Sequence, residues 1–443
     1  MTSTRGHAPS IEERTIARVT ARLVPFLVLC FFIAYLDRVN VGFAALTMNR
    51  DLGLSATAFG YGAGIFFVAY AFFEVPSNLF LERVGARKWI ARIMFSWGII
   101  SGATAFIQGQ TGFFVVRVLL GIAEAGFFPG IVFYLTLWFP ATYRARIMGA
   151  FLLAVPLSTV IGAPVSGLLL SLDGFMGLRG WQWLFILEAV PSLILSVVVF
   201  FYLTDRPADA AWLAPDERTW LVERLRQDQV KREAVRHYSV AQALRNPKVF
   251  ALSLVYFGAV GTNYGLSFFL PQIVKAFGVS NIQAGVVTAL PYVVGAVAVV
   301  WWGRHSDVKL ERRFHLAFPL FVASSGIAAS TVIDDPVMKM VVLCVAGFGI
   351  FGSLPVFWTF PTAFLGGAAA AGGIALINSI GNLAGFAGPY VVGRIKDATG
   401  SFTGGLLLVA SLGFLAMAIV LVLDHDHSLE HAPDALVSQP GEG

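Results

Sequence analysis

The sequence predicts an all-helical membrane protein of twelve transmembrane helices arranged as two six-helix halves. Three observations carry this. Hydrophobic residues make up 57% of the 443 residues and charged residues 13%, about half the charge of a soluble domain, so lipid must be the solvent for most of the surface. Apolar runs of about 20 residues, each long enough to cross a bilayer, recur twelve times. One long polar segment, 205–248, divides them six and six.

The first run, 23–46, is too long for a signal-peptide core and contains Asp37 and Arg38, so it reads as a retained span behind a polar tail, 1–22. Spans at 57–81, 90–108, 112–136, 146–171 and 181–203 complete an N-terminal half, 23–204. The linker 205–248 opens on Asp205, Arg206 and Pro207. It then reads as an amphipathic helix from Pro215 to about His237, with Leu213, Trp220, Leu221 and Leu225 on one side, lying on the membrane surface. The second half, 249–424, holds spans at 249–274, 281–302, 315–333, 338–361, 369–393 and 402–423. In the closing tail, 425–443, His425, His427 and His431 stand near Asp424 and Asp426 and read as a polar tail, not a metal site. Cys30 and Cys344 sit in apolar runs and imply no disulfide framework.

An even number of spans puts both termini on one side. That side, linker included, collects 23 of the 31 lysines and arginines, the other side six, and two lie within spans. Such a bias places the termini and linker in the cytoplasm of a bacterial inner membrane. It also accounts for the net charge of +5 without any nucleic-acid partner. Tryptophans mark the boundaries: Trp138, Trp301 and Trp302 at inner ends, Trp181 and Trp183 at an outer end.

The halves echo each other. Glu82, Arg83, Arg87 and Lys88 follow the second span, and Arg304 and Asp307, with Arg312 and Arg313 beyond, follow the eighth; both sets read as conformational loops. Spans four and ten each carry glycines, an internal proline (Pro129, Pro355) and an ending in Phe-Pro. Repeated halves with a polar seam are how alternating-access carriers are built.

Six ionisable residues lie in span interiors: Asp37, Arg38, Glu74, Arg117, Glu124 and Glu188, all in the first half. Each costs about 2.5–3.5 kcal/mol at a helix centre on insertion scales, so such residues persist where they pair, line water or work. Fixed pairing between helices gives no reason for that lopsidedness; a carrier with its coupling machinery in one half does. Arg117, Gly121 and Glu124, spaced i, i+4, i+7, share one helix face, with Gly121 leaving room for a ligand or a neighbouring backbone. Arg117 and Glu124 stand about 10 Å apart along the axis and can answer to different partners. Asp37 and Asn40 share a face of the first helix, and Arg38 points about 100° away. The expected roles are proton sites at Asp37 and Glu124 and anion-binding guanidiniums at Arg38 and Arg117. With all four charged the group is neutral. A proton on either carboxyl frees an arginine to grip a carboxylate in bidentate fashion, which makes proton and anion binding mutually favourable.

Tyr70, Glu74, Ser77 and Asn78 form a polar stripe on the second helix. Tyr70 is placed to touch substrate and Glu74 to brace the loop 82–88. Asn378 and Asn382, i and i+4 on the eleventh helix, are expected to hydrogen-bond substrate; Trp358, Asn263 and Tyr264 are further candidates. Glu188, one turn after Trp183–Phe185, reads as structural. No histidine lies in a span interior, which argues against a haem-ligating membrane oxidoreductase, and no phosphate-binding loop is present. The chain is expected to be no enzyme, to need no cofactor beyond a proton gradient, and to act as a monomer.

The twelve spans, the central linker and Leu81–Lys88 resemble the major facilitator superfamily, with Asn78 and Glu82 where its loop motif has glycine and aspartate. More specifically, Asp37-Arg38-Val39-Asn40-Val41-Gly42, Phe73-Glu74-Val75-Pro76-Ser77-Asn78, Arg117 with Glu124-Ala125 and Pro129, and Gly373 through Asn382 followed by Gly388-Pro389 are similar to the anion:cation symporter family. That family carries tartrate, phthalate, hydroxyphenylacetate, galactonate and, in animals, sialic acid and glutamate. The resemblance implies proton-coupled uptake of a small organic carboxylate, with proton sites at Asp37 and Glu124, anion binding and coupling at Arg38 and Arg117, and substrate contact at Tyr70. Sugar-acid carriers of the family offer a glutamine on the fifth span; here Ser158 and Thr159 are the polar residues of that stretch. Sodium coupling, exchange, or sensing of the same acid without transport are the alternatives.

Overall fold

The computed structural model describes residues 10–234, 246–309, 311–364 and 367–423. The tail 425–443, with its three histidines, lies outside them. Among the described residues the chain is helical with no strand. The helices are α1 (Ile11–Leu52), α2 (Ala56–Val84), α3 (Ala86–Ala103), α4 (Gly109–Glu124), α5 (Phe127–Trp138), α6 (Ala141–Leu169), α7 (Gly180–Tyr202), α8 (Pro215–Ala234), α9 (Pro247–Ser267), α10 (Leu270–Lys275), α11 (Asn281–Lys309), α12 (Arg313–Ser330), α13 (Pro336–Phe357), α14 (Thr359–Phe364), α15 (Gly367–Asn382), α16 (Ala384–Thr399) and α17 (Thr403–Val422). Among the described residues, nine segments are long and apolar enough to cross a bilayer. With α3, α12 and the α15–α16 pair they make twelve spans, since α4–α5, α9–α10 and α13–α14 also join end to end.

The joins have local causes. Gly126, in the left-handed region (φ 84°), ends α4 after Glu124, and Pro129 falls in the first turn of α5, where a missing N–H costs nothing. Pro355 instead lies inside α13, three residues before the break at Trp358. Helix α1 begins inside the expected tail 1–22. A capping box between Ser10 and Glu13 starts it at Ile11, and it runs 42 residues, about twice what a bilayer needs. The excess turns dock on the linker helix: Arg14 and Arg18 pair with Asp216 and Glu217 of α8, and Glu12 accepts a hydrogen bond from Tyr143.

The halves meet tightly at the end away from the termini. A Cβ on Gly60 of α2 would stand 2.2 Å from the Pro389 carbonyl oxygen, and one on Gly393 of α16 would stand 2.1 Å from that of Ala56. Helices α6 and α11 cross as closely, with a Gly167 Cβ 2.6 Å from Asn281 O and a Gly285 Cβ 2.4 Å from Ala163 O. Glycine lets the backbones touch, which is how small residues pack membrane helices. Asp397, beyond the expected span on α16, accepts hydrogen bonds from the N–H groups of Ala56 (3.0 Å) and Thr57 (2.7 Å). It thereby caps the positive end of α2 across the seam.

Partial burial works against the Asp397 carboxylate, yet the hydrogen bonds from Thr57, Ser55 and Ala56 outweigh it and hold the group below the usual carboxylate range. A depressed value means that the cap is intact near neutral pH and is lost as pH falls through that value. Replacing Asp397 with Ala should weaken the seal by about 1 kcal/mol, roughly fivefold in the closed-to-open ratio. Spin labels at Arg50 and Ser401, after removal of the native cysteines, would read this as a broader, longer distance distribution; an unchanged distribution would count against the cap as an inter-half latch.

Candidate functional site

Helices α1, α2 and α4 of the first half build the charged centre. Arg38 projects from α1 and its Nη2 donates to Glu124 Oε1. Glu124 is the last residue of α4, at the negative end of that helix, where a carboxylate is disfavoured unless a cation answers it. The guanidinium carbon of Arg38 lies 5.4 Å, 5.5 Å and 5.9 Å from the ring centroids of Phe66, Tyr70 and Tyr35. Its side chain is 13% exposed and that of Glu124 2%, so the arginine is the member of the pair that a ligand could reach.

Asp37 is buried. Ser101 of α3 and Asn40 each donate to its Oδ1, Asn40 at 3.1 Å. Arg117 is placed differently from the expectation of a second anion-gripping arginine. It is buried, its Nε and Nη2 donate to the carbonyls of Gly62 (3.3 Å) and Ala63 (3.1 Å), and Phe66 lies 4.9 Å away. Two of its five N–H donors go to the α2 backbone. Gly121 explains how α4 comes that close: a Cβ there would sit 2.4 Å from Phe66 O. The space it leaves holds a neighbouring backbone, not a ligand.

The second half contributes neutral hydrogen-bonding groups. Asn263 of α9 donates to the Tyr35 hydroxyl at 3.4 Å and accepts from Ser267 at 3.0 Å, and Tyr292 of α11 donates to Ser267 at 2.8 Å. Tyr264 lies within hydrogen-bonding reach of both Tyr35 and Arg38 and packs on Phe67 at 4.5 Å. Glu74 does not brace the loop 82–88; its Oε1 accepts from Asn378 of α15 at 3.2 Å, a bond between halves. Asn382 and Trp358 are part-exposed, and Trp358 meets Tyr256 edge to face at 5.0 Å. Ser158 is buried and donates to the carbonyl of Val155, and Thr159 is buried too.

The loop residues lie apart from this centre. Asp205 accepts from the Arg87 N–H at 2.9 Å and approaches its guanidinium at 3.7 Å, capping α3. Gly85 (φ 96°) makes room, since a Cβ would stand 3.0 Å from the Asp205 carboxylate. Arg83, Lys88 and Arg304 are exposed, Asp307 pairs with Arg312 at 2.7 Å, and the side chain of Glu82 lies outside the described residues. Sequence reasoning missed a histidine cluster at the matching end of the second half. Glu311 accepts a hydrogen bond from His315 Nδ1, whose Nε2 lies 2.8 Å from His305 Nδ1. His315 opens the ninth expected span; its ten-residue separation from His305 carries no helical signal.

The geometry has counterparts among known proteins. The family model for the Major Facilitator Superfamily matches residues 27–389. A protein of Agrobacterium vitis named "Putative tartrate transporter" is 53% identical over 93% of this chain and 92% of its own. A quinolone resistance transporter of Acinetobacter baumannii is 41% identical over 93% of this chain and 95% of its own. The xylose transporter of E. coli, in a partially occluded inward-open conformation, superposes with a TM-score of 0.72 at 11% identity, covering 91% of this chain and 97% of that one. That last likeness speaks to the fold alone.

Proposed function

This chain belongs to the major facilitator superfamily, and we propose that it takes up a small hydroxylated organic acid, of the tartrate class, together with protons by alternating access. Membership makes it a multi-pass membrane transporter and not an enzyme; secondary transport of an organic anion follows from its relatives. The observation that carries the finer reading is the Arg38–Glu124 pair, part-exposed on its arginine side, with the second guanidinium, Arg117, turned to the α2 backbone. A proton on Glu124 releases Arg38, and the freed fork can hold a carboxylate in bidentate geometry. Proton and anion then favour each other's binding by the same factor. Tyr35, Tyr264, Asn263 and the Glu74–Asn378 bond put hydroxyl and amide groups opposite that fork, which suits an acid bearing hydroxyls. The similarity to the Agrobacterium vitis relative supports tartrate as the first candidate. With the termini in the cytoplasm, as the lysine and arginine bias supports, the tight α2–α16 and α6–α11 crossings seal the outer face and the state is inward-facing. The protein works as a monomer in the inner membrane with no cofactor.

Purified protein in liposomes carrying a luminal pH dye tests the reading. Tartrate should acidify the lumen without an imposed gradient. Glu124→Gln should abolish that acidification while tartrate exchange persists; equal loss of both would sink the coupling role. A second reading, export, is favoured by the Acinetobacter baumannii relative. Quinolones are also carboxylates, so Arg38 would serve either cargo, and the sign of the substrate-driven pH change in oriented liposomes separates the two directions.

A further inference from the structure

Glu188 of α7 is 4% exposed, and no cation contacts it among the described residues. Its Oε1 accepts from Ser166 of α6 at 2.7 Å. Its Oε2 has no donor. From α1, Asn40 lies within hydrogen-bonding reach of Glu188 and Asp37 is the charged group that faces it. From α3, Ser101 reaches only Asp37. Five side chains therefore form one buried row: Ser101, Asp37, Asn40, Glu188 and Ser166.

Counting donors and acceptors along the row exposes a deficit. The two serine hydroxyls and the Asn40 amide supply the donations along the row. Asp37 Oδ2, Asn40 Oδ1 and Glu188 Oε2 are left over, and all three are acceptors. Buried polar atoms are almost always partnered, and a carboxylate in an apolar site without a cation neutralises rather than staying charged. A row short of donors is completed by protons. A protonated Glu188 can donate to Asn40, and Asn40 already donates to Asp37. The row starts at Asp37, next to Arg38 on α1, and runs within the first half through Asn40 to Glu188 of α7 and Ser166 of α6.

We propose that Glu188 is a third proton-exchanging carboxyl, joined to Asp37 through Asn40, and that it carries protons between Asp37 and the sealed end of the bundle without passing through the seam between the halves. This rests on the proton-coupled reading and deepens it. It also accounts for a carboxyl kept on α7 with no ion pair to make, since membrane-buried ionisable groups persist where they do work.

The test uses full-length protein in liposomes with tartrate as probe. Infrared difference spectra should show, beside the bands of Asp37 and Glu124, a further C=O stretch of a protonated carboxyl in wild type that is lost in Glu188→Gln and restored in Glu188→Asp. Glutamine keeps the shape and adds a donor, so thermal melting should be unchanged. Proton-driven tartrate uptake should fall about a hundredfold in Glu188→Gln, the low end for a lost proton-transfer group, while counterflow stays within about twofold. One titration step should vanish from the pH profile of uptake. An infrared spectrum or a pH profile that is the same in Glu188→Gln as in wild type overturns the proposal. If wild type moves no protons with tartrate, the coupling reading falls instead, and the infrared band still decides whether Glu188 holds a proton.

Discussion

Arg38→Ala is expected to abolish tartrate binding and transport. The side chain has two tasks, and both fail at once. Toward the ligand, losing a bidentate charge-assisted pair costs about 3–6 kcal/mol, two to four orders of magnitude in Kd. Toward the protein, Glu124 loses its cation at the negative end of α4, and a buried pair broken on one side costs about 3–5 kcal/mol unless the survivor takes a proton. Arg38→Lys separates the tasks. It restores a charge for Glu124 but not the planar fork, so folding should recover while tartrate affinity stays low. Thermal shift with and without tartrate reads both. Tartrate-dependent stabilisation in Arg38→Ala equal to that of wild type would remove this arginine from the site.

The second large effect concerns movement. Gly60→Val and Gly393→Val each place a side chain against backbone of the opposite half, at 2.2 Å and 2.1 Å from carbonyl oxygens. A flexible side chain could step aside; a helix backbone cannot. Overpacking of this kind costs about 1–3 kcal/mol, roughly five- to a hundredfold in population, and falls only on the state in which this end is shut. The Arg50–Ser401 label distance should lengthen and net transport should collapse, with tartrate still bound. Full transport in either variant would mean that the α2–α16 contact is not part of the working cycle.

What could be read in advance was whatever local pattern decides. Apolar length set the twelve spans, and the intramembrane charges marked α1 and α4 as the chemical centre. The capping box that extends α1 was also written locally, in Ser10 and Glu13, but the polar composition of 1–22 hid it. Contacts between distant segments were not legible. Arg117 carries the same helix-face signal as Glu124, yet where it points depends on which α2 carbonyls Gly121 lets it reach. Glu74 and Asn378 are separated by 304 positions, and the Asp397 cap joins residues 340 apart. His305 and His315 meet only because α11 and α12 fold back on each other. Periodicity is silent on such pairs.

The separation of charge from shape between the halves has one further consequence. Every buried ionisable group of the centre sits on α1, α2, α4 or α7, whereas α9, α11 and α15 present amides, hydroxyls and aromatic rings. Under the proposed proton coupling, a drift in those neutral groups would alter which cargo fits and leave proton stoichiometry alone. Such a chain can change diet without rewiring its engine, and variants selected for new cargo should accumulate their substitutions after residue 249.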